Sequence, residues 1–99
     1  MQANRIHVIA ALSIQDQHAD RAVAILRGLA ETARTAAGNL RFEVLQHGAT
    51  PARVATLETW ADADAADAHM GSAYVAAALA ELGPILAGPP AIERYVARA

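Results

Sequence analysis

The sequence predicts an α+β fold whose elements follow the order β-α-β-β-α-β. Three observations support this prediction. Four short segments have the apolar patterning of strands, further segments have apolar residues at helical spacing, and a turn-rich loop of hairpin length joins the middle two strands. The 99 residues contain no linker and no internal repeat, so we expect a single domain over residues 1–99.

The first strand is expected over Arg5–Ile14, which is rich in β-branched residues. Its odd-numbered and even-numbered positions are both apolar, which is typical of a strand covered on both faces. A helix should begin at residues 16–17, because one apolar stripe follows at helical spacing: Ala22, Ile25, Leu26, Leu29 and Ala33. The pair Gly38-Asn39 predicts a left-handed stop after Ala37.

The central hairpin is expected over Leu40–His47 and Arg53–Trp60, with Gly48–Ala52 as its loop. Its first strand alternates, so that one face should carry Leu40, Phe42 and Val44 and the other Arg41 and Glu43. On its second strand, one face should carry Val54, Thr56, Glu58 and Trp60. A carboxylate and an indole are therefore expected side by side on a covered strand face.

The last third of the chain predicts two helices and a strand. Asp62 or Asp64 can cap a short helix through His69, and Ser72 can cap a second helix through residue 82. A final strand is expected over Ala91–Val96.

This element order is the split βαβ pattern of ferredoxin-like folds. Right-handed crossovers would place the helices on one face of a four-stranded antiparallel sheet. The other face still carries apolar residues and would be a large exposed patch. Packing against the same face of a second copy would cover it, so we expect a homodimer through the sheet face.

Composition and charge exclude several classes of function. The net charge of −2, with no lysine among the eight basic residues, leaves no basic footprint for nucleic acid. The apolar runs are too short to span a membrane, and we expect no secretory signal. We therefore expect a cytoplasmic protein that binds neither nucleic acid nor membrane. The absence of cysteine excludes a thiolate nucleophile and a cysteine-ligated metal.

Glu58 and His69 are the candidate catalytic residues. A carboxylate on a covered face is costly unless it is paired, and histidine titrates near neutral pH. Both residues also have structural interpretations. Glu58 could pair with Arg41 or Arg94 across the sheet, and His69 could simply favour the C-terminal end of its helix.

The candidate substrate-binding residues are mainly aromatic. Trp60 could stack on a flat substrate or merely fill the core. Phe42 and Tyr74 should line the core or the pocket wall, and the Tyr74 hydroxyl could bond a substrate oxygen. His7 on the first strand should face either the cavity or the dimer seam. No metal-ligand spacing and no phosphate or dinucleotide loop occurs, so no metal and no organic cofactor are expected.

Five segments of the sequence resemble the antibiotic biosynthesis monooxygenase (ABM) domain family. These are Ile6-His-Val-Ile-Ala-Ala, Gly38-Asn-Leu-Arg-Phe-Glu-Val-Leu-Gln46, Leu57-Glu-Thr-Trp60, Ala68-His-Met-Gly-Ser72 and Gly88-Pro-Pro90. The resemblance covers nearly the whole chain and implies a dimeric α+β barrel of ferredoxin-like protomers. The family includes cofactor-free oxygenases of quinols and anthrones, haem-degrading enzymes and an isomerase of a phosphorylated autoinducer.

The leading hypothesis is a monooxygenase that acts on a small phenolic or quinol substrate and O₂ without a bound organic cofactor. His69, oriented by Glu58, would remove a phenolic proton, and Trp60 and Phe42 would hold the ring in a water-poor pocket. A second hypothesis is an isomerase of a small hydroxy-ketone that uses the same acid/base pair. A phosphorylated substrate would need a cation, for which Arg41 is the candidate. A third is a non-catalytic ligand-binding dimer, which predicts that Glu58 bonds an arginine and that no cavity lies beside His69.

Overall fold

The computed structural model describes residues 4–99, which form four strands and three α-helices. The strands are β1 (Ile6–Ser13), β2 (Asn39–Gln46), β3 (Arg53–Trp60) and β4 (Ala91–Tyr95). The helices are α1 (Ala19–Ala33), α2 (Ala63–Met70) and α3 (Ala73–Leu82), with short 3₁₀ turns at Asp16–His18 and Gly83–Ile85. The described part of the chain has no helix long and apolar enough to cross a membrane.

The four strands form one antiparallel sheet in the order β2-β3-β1-β4. This order confirms the ferredoxin-like fold predicted from the sequence. Strand β3 lies between β1 and β2, and its residue Glu58 is opposite Val8 on one side and Phe42 on the other. Because directly opposite residues share a face, these three side chains point the same way, toward the helices.

The core lies between the helices and one face of the sheet. Every second residue of β3 from Val54 to Trp60 is less than 5% exposed. Alternate residues of β1 are buried beside them, so the apolar stripe of α1 rests on a continuous surface. Two clusters divide this core, one around Leu26 and Leu82 and the other around Trp60. Of the candidate site residues, Phe42 and Trp60 belong to the second cluster, and Tyr74 packs against it.

Helix α1 is shorter than the sequence predicts at both ends. It begins at Ala19 after a 3₁₀ turn and ends at Ala33 rather than Ala37. Beyond Ala33 the backbone tightens into bonds between residues three apart, from Thr35 to Thr32 and from Ala36 to Ala33. The Arg34 guanidinium donates two hydrogen bonds to the Phe42 carbonyl, at 3.1 and 2.7 Å, and so ties this turn to β2. The backbone N–H of Arg34 still bonds the Ala30 carbonyl, so the helical bonding ends here while the Arg34 side chain holds the turn against the sheet.

Gly38 has the positive φ that the sequence predicts, at 81°. It lies in the turn beyond the helix rather than at the helix end. A side chain here would also collide with α2, since an added Cβ would lie 2.5 Å from the Cβ of Ala65. Glycine is therefore required twice, for its conformation and for the close approach of α2 to the start of β2.

Helices α2 and α3 begin at the predicted caps. The Asp62 carboxylate accepts a hydrogen bond from the Ala65 backbone N–H at 2.8 Å. The Ser72 hydroxyl accepts from the Val75 N–H at 3.2 Å and donates to the His69 carbonyl at 2.6 Å. Ser72 therefore caps α3 and also ties it to the last turn of α2, which fixes the position of His69 over β3.

The face of the sheet that carries no helix is the open face. It presents apolar side chains from all four strands, including Ile9, Leu45, Leu57 and Tyr95. Ile9, Leu45 and Tyr95 are each more than 40% exposed. All five residues of β4 are exposed as well. The expectation of an apolar sheet face opposite the helices is thus met.

Candidate active site

The buried carboxylate of Glu58 is held by its own strand. Thr56, Glu58 and Trp60 occupy alternate positions of β3, so their side chains lie in a row. The Thr56 hydroxyl donates to Glu58 Oε2 at 2.7 Å, and the Trp60 indole N–H donates to Glu58 Oε1 at 3.0 Å. These two bonds offset much of the cost of burying the carboxylate, which is only 4% exposed.

Over residues 4–99, no arginine forms an ion pair with this carboxylate. Arg41 instead pairs with Glu43 at 2.7 Å, and Arg94 pairs with Asp67 of α2 at 2.8 Å. The alternative in which Glu58 bonds Arg41 or Arg94 is therefore wrong. The sequence did not indicate the hydroxyl and indole donors, although Thr56 and Trp60 share the face of Glu58 and are the nearest side chains on it.

The imidazole of His69 converges on this carboxylate. His69 Nε2 lies 3.5 Å from Glu58 Oε1, and His69 Nδ1 lies 2.6 Å from the Tyr74 hydroxyl. The ring is 4% exposed and sits in the last turn of α2, directly above β3. An acid and an imidazole thus meet beneath the helices, as expected from the sequence.

Aromatic rings enclose the imidazole on three sides. Its centroid is 4.5 Å from that of Trp60, 5.4 Å from that of Tyr74 and 5.8 Å from that of Phe42. Burial in this cage lowers the pKa of His69, and the nearby Glu58 charge opposes that change only in part. Burial also raises the pKa of Tyr74. At neutral pH the imidazole is therefore uncharged and can accept a proton, while Tyr74 keeps its hydroxyl proton.

Because its pKa is lowered on folding, His69 should make stability fall in acid. The unfolded chain binds a proton at this side chain near pH 6.5, whereas the folded chain binds it only at lower pH. The contribution is complete above about pH 6.5 and is lost as the pH falls below it, by at most about 1.4 kcal/mol per pH unit. Urea unfolding at pH 7.5 and 5.5 measures this. A His69→Gln variant should show a flatter dependence, and equal slopes would contradict the assignment.

A small cavity of about 40 Å³ adjoins the acid and the imidazole. Its polar side chains are Thr56, Glu58 and His69, and its other walls are alanine, valine, leucine, isoleucine and methionine. Such a volume holds about one or two waters, whereas ligand pockets commonly exceed about 300 Å³. Leu79 and Ile92 line the cavity and are 42% and 40% exposed, so they form its rim. A ring-sized ligand would need this rim to move outward.

Three of the five predicted substrate-binding residues surround His69, namely Trp60, Phe42 and Tyr74. Arg41 and His7 do not, because both lie on the open face, across the sheet from Glu58. Of the two positions foreseen for His7, the structure selects the open face, where its Nδ1 lies 3.2 Å from the Thr59 hydroxyl. Over residues 4–99, no group of three histidines or carboxylates is arranged to hold a metal ion.

The protein is thus a small α+β protein of the ferredoxin-like class, with a buried acid–imidazole pair between its sheet and its helices. Residues 5–81 match the family described as antibiotic biosynthesis monooxygenase. The chain therefore belongs to the ABM family. No functionally curated protein matches the chain significantly.

Several solved structures have the same fold, and each superposition covers nearly all of this chain and of the matched chain. A Caulobacter crescentus protein, provisionally named an antibiotic biosynthesis monooxygenase, is 30% identical with a TM-score of 0.90, covering 98% of this chain and 92% of its own. A Nitrosomonas europaea protein with the same provisional name is 21% identical, with a TM-score of 0.91 and coverage of 99% and 94%. A Pseudomonas aeruginosa protein is 20% identical, with a TM-score of 0.90 and coverage of 100% and 99%. The last two likenesses show the shared fold alone.

Proposed function

We propose that the chain is a cofactor-independent monooxygenase that acts on a small phenolic or quinol substrate. The observation that carries the proposal is the buried imidazole of His69, which lies among three aromatic rings and 3.5 Å from the Glu58 carboxylate. Membership of the ABM family supports a monooxygenase-type reaction.

His69 acts as the general base in this proposal. Its Nε2 lies beside Glu58, with which His69 lines the cavity, while its Nδ1 is held by Tyr74. A substrate hydroxyl gives its proton to Nε2, and the Glu58 carboxylate stabilises the imidazolium that forms. The phenolate left behind is electron-rich and is shielded from water, which favours direct reaction with O₂.

The reaction balances without an external reductant. The substrate anion reduces O₂, and a carbon–oxygen bond forms to give a peroxide anion. The proton stored on His69 returns to the outer peroxide oxygen. His69 then takes the hydrogen of the oxygenated carbon as a proton, so that a carbon–oxygen double bond forms and the oxygen–oxygen bond breaks. The departing hydroxide takes this second proton and leaves as water. A quinol C₆H₆O₂ with one O₂ thus gives a hydroxyquinone C₆H₄O₃ and one H₂O, the substrate being oxidised by both oxygen atoms.

The cavity walls favour an uncharged substrate. No arginine lines the cavity, and Arg41 lies across the sheet. A phosphorylated hydroxy-ketone would therefore bring its charge into an apolar space beside the Glu58 carboxylate, which is costly. This argues for the phenol and against a phosphorylated isomerase substrate.

Oxygen uptake on a panel of phenols and quinols tests the proposal. We expect one O₂ consumed per quinol without added reductant or metal, and one ¹⁸O atom from ¹⁸O₂ in the product. Substrate conversion without oxygen uptake would replace the proposal with the isomerase, and ligand binding without any conversion would replace it with the non-catalytic dimer.

We also propose that the working form is a homodimer joined through the open face. Ile9, Leu57 and Leu45 give this face an apolar centre, and a second copy covers it by two-fold symmetry. Sedimentation should give twice the chain mass, and Leu57→Lys should give monomers. Ala76→Lys, on the exposed side of α3, is the matched control and should stay dimeric. A monomeric parent chain would contradict this prediction.

A further inference from the structure

The two nitrogens of the His69 imidazole face different polar partners. Nε2 lies 3.5 Å from Glu58 Oε1, and Nδ1 lies 2.6 Å from the Tyr74 hydroxyl. An imidazole that accepts a proton on one nitrogen can release another proton from its second nitrogen. The ring therefore offers a route for protons from the space beside Glu58 toward Tyr74.

Tyr74 borders a different hollow from His69. Glu58 and His69 line the inner cavity, whereas Tyr74 lines a groove of about 270 Å³ between α1 and α3. Leu29 and Ala78 border both spaces and form the apolar wall between them. The hydrogen bond between His69 and Tyr74 thus joins a residue of the buried cavity to a residue of the surface groove.

The burial of the three residues follows the same direction. Glu58 and His69 are each 4% exposed, while Tyr74 is only half-buried. A proton trapped on His69 has no direct contact with bulk water, because the aromatic rings and α2 cover it. Tyr74 is the neighbour of His69 that touches both the imidazole and the outer groove.

We propose that Tyr74 conducts protons between His69 and solvent in the groove between α1 and α3. The His69 Nδ1 proton passes to the Tyr74 oxygen while the Tyr74 hydroxyl proton passes to a groove water, and the reverse transfer reloads the imidazole. No electrons move, and Tyr74 stays neutral before and after the transfer. Its role in turnover rests on the proposed function, in which His69 is the base.

A hydroxyl is suited to this step because it donates and accepts at once. The transfer accumulates no tyrosinate, which agrees with the raised pKa that burial gives Tyr74. Phenylalanine keeps the ring and its packing but can neither donate nor accept a proton at this position. Tyr74→Phe therefore separates proton conduction from space filling.

NMR on the ¹⁵N-labelled protein tests the route without any substrate. The exchange of the His69 ring proton with water should slow by about tenfold or more in Tyr74→Phe. Tyr95→Phe is the matched control, since the Tyr95 hydroxyl donates to the exposed Glu93 carboxylate on β4, at 3.3 Å. The His69 ring proton of this variant should exchange at the parent rate. If Tyr74 only fills space, its loss leaves the exchange unchanged or faster, which would overturn the proposal.

Turnover provides a second readout. With quinol as substrate, Tyr74→Phe should lower kcat by about ten- to a hundredfold, leave KM unchanged and enlarge the solvent isotope effect. Slowed exchange in a protein that oxidises no quinol would support the route and defeat the proposed function. Slowed exchange with unchanged kcat would overturn the role of Tyr74 in turnover.

Discussion

Replacing His69 with alanine should lower kcat for quinol oxidation by about 10²- to 10⁴-fold, the usual contribution of a general base. The substitution removes both the proton acceptor beside Glu58 and the partner of the Tyr74 hydroxyl. Oxygen uptake under saturating quinol measures the loss. Because the side chain is 4% exposed, its removal also leaves a hollow in which a free imidazole can bind.

That hollow distinguishes a catalytic role from a structural one. Added imidazole should restore part of the activity of His69→Ala, with a pH profile set by the added base. His18→Gln is the control, since His18 lies in the 3₁₀ turn before α1, and it should keep the parent activity. Parent-like turnover in His69→Ala would remove this residue from the mechanism.

Replacing Trp60 with alanine should lower the free energy of unfolding by about 3–5 kcal/mol, as for other large core aromatics. The indole is fully buried beneath α1 and α2, and its N–H is one of two donors on the Glu58 carboxylate within β3. The substitution therefore opens a cavity and also removes one of the two hydrogen bonds that stabilise the buried Glu58 carboxylate. Urea unfolding followed by circular dichroism measures this, because the chain has no other tryptophan to report by fluorescence.

Trp60→Phe separates the two contributions. It keeps most of the ring volume but loses the N–H donor, so we expect a loss of about 1–3 kcal/mol. Leu40→Ala is a useful comparison, since Leu40 is 50% exposed and its truncation should cost less than about 1 kcal/mol. A cost for Trp60→Ala no larger than that for Leu40→Ala would show that the indole does not anchor this cluster.

Local rules were sufficient for much of the fold. The alternation along β3 predicts which side chains face the helices, and its bounds, Arg53–Trp60, agree with the structure. The caps at Asp62 and Ser72 are also correct, because capping depends on a few neighbouring residues. The end of α1 is not predictable in this way, since the Arg34 side chain bonds a carbonyl on β2, which lies outside the helix pattern.

The candidate site was likewise predictable in part, where local rules apply, and not where distant side chains meet. Periodicity predicts that Glu58 and Trp60 share a covered face, and the helix break predicts that His69 lies near them. The choice between an arginine and the donors Thr56 and Trp60 depends on side-chain reach across the folded sheet. The volume beside His69 depends on how α3 packs, and a sequence pattern does not record packing distances.

The small volume beside His69 has a consequence for ligand affinity and rate. If Leu79 and Ile92 must swing aside first, only the fraction of molecules already open binds substrate, and the measured Kd rises in inverse proportion to that fraction. An open population of about 1% would weaken apparent affinity about a hundredfold. Shortening either rim residue should then tighten binding while leaving the proton chemistry intact. The closed resting state would also limit the imidazole to the roughly one or two waters that the cavity can hold between turnovers.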